Sequence, residues 1–158
     1  MTDNYIGIMI ESLRRKRDVL TDILKLSEEQ SILLDDPNLE PDTFEKNVNR
    51  KAALIDKLEQ LDMGFESLYE KVKEELESDR DIHKEQIRQM QELIRALTEL
   101  NMQIQTTEAR NKEKVTAKFA YIRRQAKEIR SSQKIVKEYY NNMMHKAYNE
   151  PHFLDNKK

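Results

Sequence analysis

The chain has 158 residues, of which 28 are basic and 30 acidic, so a net charge of −2 accompanies a charged fraction of 37%. This length and balance predict one soluble domain and argue against a polybasic nucleic-acid binder or an acidic disordered chain. Because there is no Cys, disulfides, thiol catalysis and cysteine zinc sites are excluded. With only 2 Gly and 3 Pro, a loop-rich fold or a glycine-built phosphate site is disfavoured.

The same composition favours long helices. Glu, Lys, Leu, Arg, Ile and Gln are abundant, while aromatic residues make up 6% of the chain. No apolar run reaches the roughly 20 residues that cross a bilayer. The first residues also lack the basic and then apolar order of a signal peptide. We therefore expect an all-α protein located in the cytoplasm.

Helix-breaking residues divide the chain at a few places. Pro37 and Pro41 bracket a predicted turn, after which Asp42 resembles an N-cap with Glu three residues later. The stretch 78–81 contains three good N-capping residues and predicts a chain reversal. Gly64 lies inside a strong helical pattern, and we expect the helix to tolerate it. Pro151 ends the helical part of the chain.

These breaks predict an elongated antiparallel helical hairpin or bundle of three long helices, at about 3–34, 43–78 and 81–148. We expect a single domain over residues 1–150 and a flexible tail over 151–158. If the third helix returns along the second, residues beyond about Ala117 overhang. A weaker candidate break at 106–111 would fold the overhang back and give four helices. Asn101, Glu108 and Asn111 interrupt the apolar stripe there, as a hinge, as a register marker or as solvated positions.

Apolar residues recur three and four apart along each predicted helix, which is typical of narrow coiled-coil-like seams. In the first helix the face contains Ile6, Ile10, Leu13, Arg17, Leu20 and Leu24. In the second the seam runs through Phe44, Val48, Lys51, Ile55, Leu58, Asp62, Phe65, Tyr69, Val72 and Leu76. In the third it runs through Ile87, Met90, Ile94, Leu97, Asn101 and Ile104, and continues to Met143.

The sequence contains none of the common motifs of catalytic or metal sites. His83, His145 and His152 are the histidines of the chain, and none follows a Glu three residues earlier, as a di-iron bundle site requires. His-Glu-x-x-His, phosphate-loop and Gly-x-Ser-x-Gly motifs are also missing from the sequence. We expect no catalytic residue, no cofactor and no metal site.

Charge is unevenly distributed along the chain. Residues 33–85 contain 16 acidic and 8 basic residues, a net of −8, whereas residues 109–137 contain 2 acidic and 10 basic residues, a net of +8. An acidic second helix and a basic third helix would attract each other or a protein partner. The alternative is a basic strip for nucleic acid or membrane, built on Arg110, Lys112, Lys114, Lys118, Arg123, Arg124, Lys127 and Arg130. Because few aromatics interleave, we favour the first explanation and expect neither nucleic-acid binding nor membrane insertion.

The C-terminal region is rich in Tyr and Met, which suit an adaptable protein-binding surface or the capped end of a bundle core. These residues are Tyr139, Tyr140, Met143, Met144 and Tyr148, followed by Phe153 and Leu154.

Local motifs along nearly the whole chain are similar to those of one family. They are Leu20-x-x-Ile23-Leu24-x-Leu26, the run from Lys51 to Asp62 (KAALIDKLEQLD), Leu97-x-x-Leu100-Asn101, Glu108-Ala109-Arg110-Asn111, Tyr139-Tyr140 and Phe153-Leu154-Asp155-x-Lys157-Lys158. In these the chain resembles the FlgN-type flagellar export chaperones. The resemblance implies a cytoplasmic, non-catalytic chaperone of type III export. It would bind hook-associated (hook–filament junction) proteins through its C-terminal helix and prevent their premature assembly, with export apparatus components as further partners.

A client-binding face follows from the spacing of apolar residues in that helix. A client's terminal amphipathic segment is covered if it packs on an adaptable apolar face. We expect this face to consist of Phe119, Ile122, Ala126, Ile129, Val136, Tyr140 and Met143. The alternative is a structural coiled-coil tether or homodimerisation module, which would use the same stripe to bind a second copy.

Overall fold

The computed structural model describes residues 4–78 and 80–144, with side chains of the last helix described through Tyr139. All regular structure in these residues is helical: α1 is Tyr5–Asp35, α2 is Pro41–Asp62, α3 is Phe65–Ser78 and α4 is Lys84–Met144. The predicted all-α bundle is therefore confirmed. The described chain forms two compact units, divided between Lys114 and Val115. The predicted tail, 151–158, lies outside the described residues.

A hydrogen bond from the backbone to a side chain closes the turn between α1 and α2. Asp36 accepts a hydrogen bond at Oδ1 from the Asn38 amide at 2.8 Å. α2 then begins at Pro41, whose fixed φ suits the first helical position and which has no N–H to leave unpaired. The predicted capping role of Asp42 is therefore wrong, because Asp42 already lies in the first turn and Glu40 occupies the cap position.

Gly64 separates α2 from α3, so the expectation of one helix over 43–78 is wrong. α2 ends at Asp62, and the Met63 amide donates to the Glu59 carbonyl at 3.2 Å. Gly64 follows with φ of 74°, in the left-handed region that L-residues avoid. Its carbonyl accepts from the Leu68 amide at 3.0 Å and begins α3. The second arm of the hairpin is thus two helices joined by a glycine turn.

Replacing Gly64 by Ala is expected to lower the free energy of unfolding by about 1 kcal/mol. A Cβ on Gly64 would have no atom within 4 Å, so backbone strain at φ of 74° is the cause and a clash is not. Gly64→Asn should lose less stability than Gly64→Ala, since Asn tolerates this backbone conformation. Urea unfolding of the three proteins measures the order, and equal stability of the Ala variant and the parent would contradict it.

The reversal predicted at 78–81 is confirmed, since α3 ends at Ser78 and α4 begins at Lys84. The weaker break at 106–111 is wrong, because α4 continues through it without interruption. Thr106 donates its hydroxyl to the Met102 carbonyl at 2.9 Å, which satisfies the hydroxyl within the helix. Asn111, a residue type that often ends helices, uses its side chain to bond α1.

The first turns of α4 carry an exposed charge cluster. Arg88 donates to Glu85 three residues before it and to Glu92 four residues after it. The hydrogen bond from Arg88 holds the pKa of the Glu85 carboxyl below its ordinary value. Such pairs support the start of a helix locally and are screened by salt.

α1 is the central helix of the first unit. α2 and α3 run antiparallel to it: Lys16 pairs with Asp62 at 2.6 Å, and the Tyr5 amide donates to Glu75 at 3.1 Å. Early residues of α4 pack on α1 as well, so α1 carries a wide apolar face. The core combines Ile6, Met9, Ile10, Leu13, Val19, Leu20 and Ile23 of α1 with Val72 of α3 and Met90, Leu93 and Leu97 of α4.

The predicted face of α1 is confirmed at Ile6, Ile10, Leu13 and Leu20, whereas the seams of the second arm and of α4 are displaced by one residue at several positions. In the second arm Lys51 and Val72 are buried as predicted, but Val48, Ile55 and Tyr69 are exposed. Their preceding neighbours Asn47, Leu54 and Leu68 face the core instead. In α4, likewise, Leu93 is buried and Ile94 is exposed. Both neighbours are apolar at several of these places, so spacing alone did not fix which one packs inward.

Candidate functional site

A buried polar layer joins α1, α2 and α4 in the first unit. Lys51 of α2 donates from Nζ to Gln30 Oε1 at 3.0 Å and to both carboxylate oxygens of Glu108, at 2.7 and 2.9 Å. Asn111 donates from Nδ2 to the Ser27 carbonyl at 2.8 Å and to Gln30 Oε1 at 3.1 Å. Gln30 therefore accepts from two helices at once, and the three helices are held in one register.

Two further side chains extend this layer. Asn47 donates from Nδ2 to the Leu26 carbonyl at 2.9 Å and to Glu29 at 2.8 Å. Lys114 donates to the Ser31 hydroxyl at 2.8 Å and pairs with Asp35 at 2.9 Å. The polar contacts thus follow α1 for several turns and end where the first unit ends.

The polar layer leaves some buried groups without a protein partner. Among the described residues these are Ser27 Oγ, Asn47 Oδ1 and Asn111 Oδ1. An unpaired buried polar atom lowers the stability of the fold. This layer therefore contributes more to the specificity of helix pairing than to stability. Glu108 and Asn111 were predicted to be a hinge, a register marker or solvated positions, and this geometry supports the register marker. Asn101 is a solvated position.

The predicted attraction between an acidic second helix and a basic third helix takes a different form. In the ion pair between α2 and α4, the cation is Lys51 on the acidic stretch and the anion is Glu108. Lys114, a member of the basic stretch, pairs with Asp35, which belongs to the acidic stretch 33–85 but lies on α1. These contacts position single side chains and do not match one charged face to another.

The predicted client-binding stripe lies in the second unit, on α4. Phe119 is 54% exposed, Ile122 50%, Ile129 59% and Val136 55%, while Ala126 is half-buried. The backbone of Tyr140 and Met143 belongs to α4, but their side chains lie outside the described residues. The described stripe residues share one helix face because they recur three, four and seven residues apart.

A second apolar face was not predicted from the sequence, although one of its residues, Tyr139, was named in the Tyr- and Met-rich C-terminal region. Tyr121, Ile135 and Tyr139 are each more than half exposed and lie about a third of a turn from the stripe. The Tyr121 hydroxyl accepts from Gln125 at 2.7 Å. Tyr121 and Ile135 are fourteen residues apart, and Ile135 and Tyr139 are four apart. The polar residues Glu128 and Ser132 lie on the same face between Tyr121 and Ile135, so the apolar pattern is hard to see in the sequence.

Two features are absent from the described part of the chain. No helix there is both long and apolar enough to cross a membrane. Among the residues that the structure describes, no group of three or more His, Asp or Glu side chains is placed to hold a metal ion.

The first unit is an all-α bundle, and the second unit contains the part of α4 that has exposed apolar side chains. A family model described as FlgN protein matches residues 1–143. The chain therefore belongs to the FlgN family of flagellar export chaperones, which confirms the resemblance found in its motifs. No curated protein and no solved structure gives a significant match.

Proposed function

We propose that this chaperone binds hook-associated proteins in the cytoplasm, prevents their premature assembly and passes them to components of the flagellar export apparatus. The observation that supports this is the exposed apolar stripe of α4, made by Phe119, Ile122, Ala126, Ile129 and Val136. A hook-associated protein whose terminal amphipathic segment lies on this stripe cannot use the same segment for assembly.

The exposed fractions set the strength expected of such a complex. Fully burying a large apolar side chain contributes about 1.5–3 kcal/mol, and Phe119, Ile122, Ile129 and Val136 are each about half exposed. Completing their burial therefore contributes about 1 kcal/mol for each side chain. Association and ordering of the client subtract from this sum, so the complex should be reversible, as a chaperone that releases its client requires.

Removing residues after Ala117 tests the assignment of the binding element. The shortened chain keeps the polar layer and the core of the first unit, since that unit ends at Lys114. We expect it to retain helical circular dichroism and to lose hook-associated proteins in a pulldown after co-expression. Full client recovery by the shortened chain would place the binding surface elsewhere. Failure of the full chain to retrieve any hook-associated protein would reject the client.

A homodimer held by the same stripe is the second candidate, because an exposed apolar helix face also suits a copy of itself. Sedimentation at several concentrations separates the two functions. A dimer that persists on dilution and excludes the client would favour the structural module. A monomer that binds client supports the chaperone.

A further inference from the structure

Residues flanking the stripe form a regular row of positive charge. With Phe119 and Ala126 at heptad position a, and Ile122, Ile129 and Val136 at d, the e positions are Arg123, Arg130 and Lys137. Lys127 and Lys134 occupy b, on the same side of the stripe. Each stripe position from Ile122 to Val136 is thus followed directly by a basic residue. In coiled coils, e and g charges select the partner and its orientation.

Acidic residues of the same segment lie away from the stripe. Residues 115–139 contain 7 basic and 2 acidic residues, which gives a net of +5. The two acidic residues, Glu128 and Glu138, fall at c and f, and f is the position farthest from the seam. Arg123 is exposed and Arg130 half-buried in the structure, so both lie beside the half-exposed stripe with access to a partner.

A second copy of the same segment, paired stripe to stripe, does not place carboxylates beside the basic row. In an antiparallel pair the e positions face each other, which would place Arg123, Arg130 and Lys137 against the same cations. In a parallel pair they face g, where the chain has Lys118, Gln125, Ser132 and Tyr139. Neither arrangement opposes a carboxylate to the basic row, and the antiparallel one brings like charges together.

We infer that the stripe binds a helical partner segment whose flanking positions carry carboxylates, and that this charge pattern favours an acidic client over a second copy. The inference rests on the proposed function, since it specifies the chemistry of the client segment. Apolar contact supplies the binding surface, and the basic row determines which amphipathic helix is accepted.

The test uses the full chain and three synthetic helical peptides of about four heptads. They share an apolar a and d seam and carry Glu, Gln or Lys at e and g. Binding is measured by fluorescence anisotropy at about 0.15 M salt, where the Debye length is about 8 Å. The Glu peptide should bind about tenfold tighter than the Gln peptide, and the Lys peptide most weakly. At about 1 M salt the difference between the Glu and Gln peptides should disappear.

Variants with matched charge locate the effect. Arg123→Gln with Arg130→Gln removes two positive charges beside the stripe and should reduce the preference for Glu over Gln to about twofold. Arg124→Glu makes the same net change at position f and should leave the preference near tenfold. Absence of peptide binding, equal binding of the three peptides, or an equal loss in both variants would overturn the inference.

A parallel pulldown of hook-associated proteins by the unaltered chain keeps the two proposals distinguishable. Retrieval of the client together with a flat peptide series rejects the acidic-partner inference and leaves the proposed function standing. A clear peptide preference without retrieval rejects the proposed client and supports the inferred surface.

Discussion

Replacing Ile129 by Asp is expected to weaken client binding by about 30-fold or more, which corresponds to about 2 kcal/mol. Ile129 occupies the middle of the described stripe, and a bound helix would bury the new carboxylate without a partner. Because Ile129 is 59% exposed in the free protein, the free energy of unfolding should change by less than about 0.5 kcal/mol. Titration with purified client by calorimetry measures the loss.

Ile135→Asp is the matched control for Ile129→Asp. Ile135 is 66% exposed on the same helix but belongs to the second apolar face, with Tyr121 and Tyr139. The identical substitution there should change client affinity by less than about threefold. If both variants lose binding equally, the client covers both faces and the stripe is not the dominant contact.

Replacing Glu108 by Ala is expected to cost about 2 kcal/mol of unfolding free energy. The Lys51 side chain is 9% exposed, so without Glu108 its amine would keep only Gln30 as a partner in the interior. Lys51→Met should cost less than about 1 kcal/mol, because Glu108 is 39% exposed and its carboxylate can be hydrated. The two ends of one ion pair therefore have unequal effects.

The double variant Lys51→Met with Glu108→Ala tests the cause of that difference. Without the Lys51 ammonium no buried charge is left unpaired. The stability of the double variant should therefore match that of Lys51→Met within about 0.5 kcal/mol. Urea unfolding of the parent, the two single variants and the double variant measures the free energies of unfolding that this comparison needs. Additive losses in the double variant would show that Glu108 acts through packing and not through Lys51.

The positions of most helix ends were predictable from the sequence because Pro and capping residues act locally. Pro37 and Pro41 predicted the first turn, and the stretch 78–81 predicted the reversal. Gly64 was misjudged, since a single Gly costs a helix only about 1 kcal/mol and a tolerated Gly therefore looks the same in the sequence as one that ends a helix. At 106–111 Thr106 bonds within α4 and Asn111 bonds α1, and the contact of Asn111 is a tertiary effect that local sequence does not contain.

Prediction of the site divides in a similar way. The stripe from Phe119 to Val136 was predictable because it follows one uninterrupted helix with constant spacing. The polar layer was visible as Lys51, Glu108 and Asn111 at stripe positions, but not as one cluster. Lys51 and Glu108 are 57 residues apart, and only the packing of three helices in one register brings them together.

The central position of α1 has a consequence for synthesis on the ribosome. Ser27 and Asn111, which bond across α1 and α4, are 84 residues apart in the chain. At about 5–20 residues per second, about 4–17 s pass between the making of these two residues. During that interval α2 and α3 can cover one side of α1 while the side that receives α4 stays open. The nascent chaperone is therefore itself an incompletely covered amphipathic helix, the same kind of object as the client segment that we propose it protects.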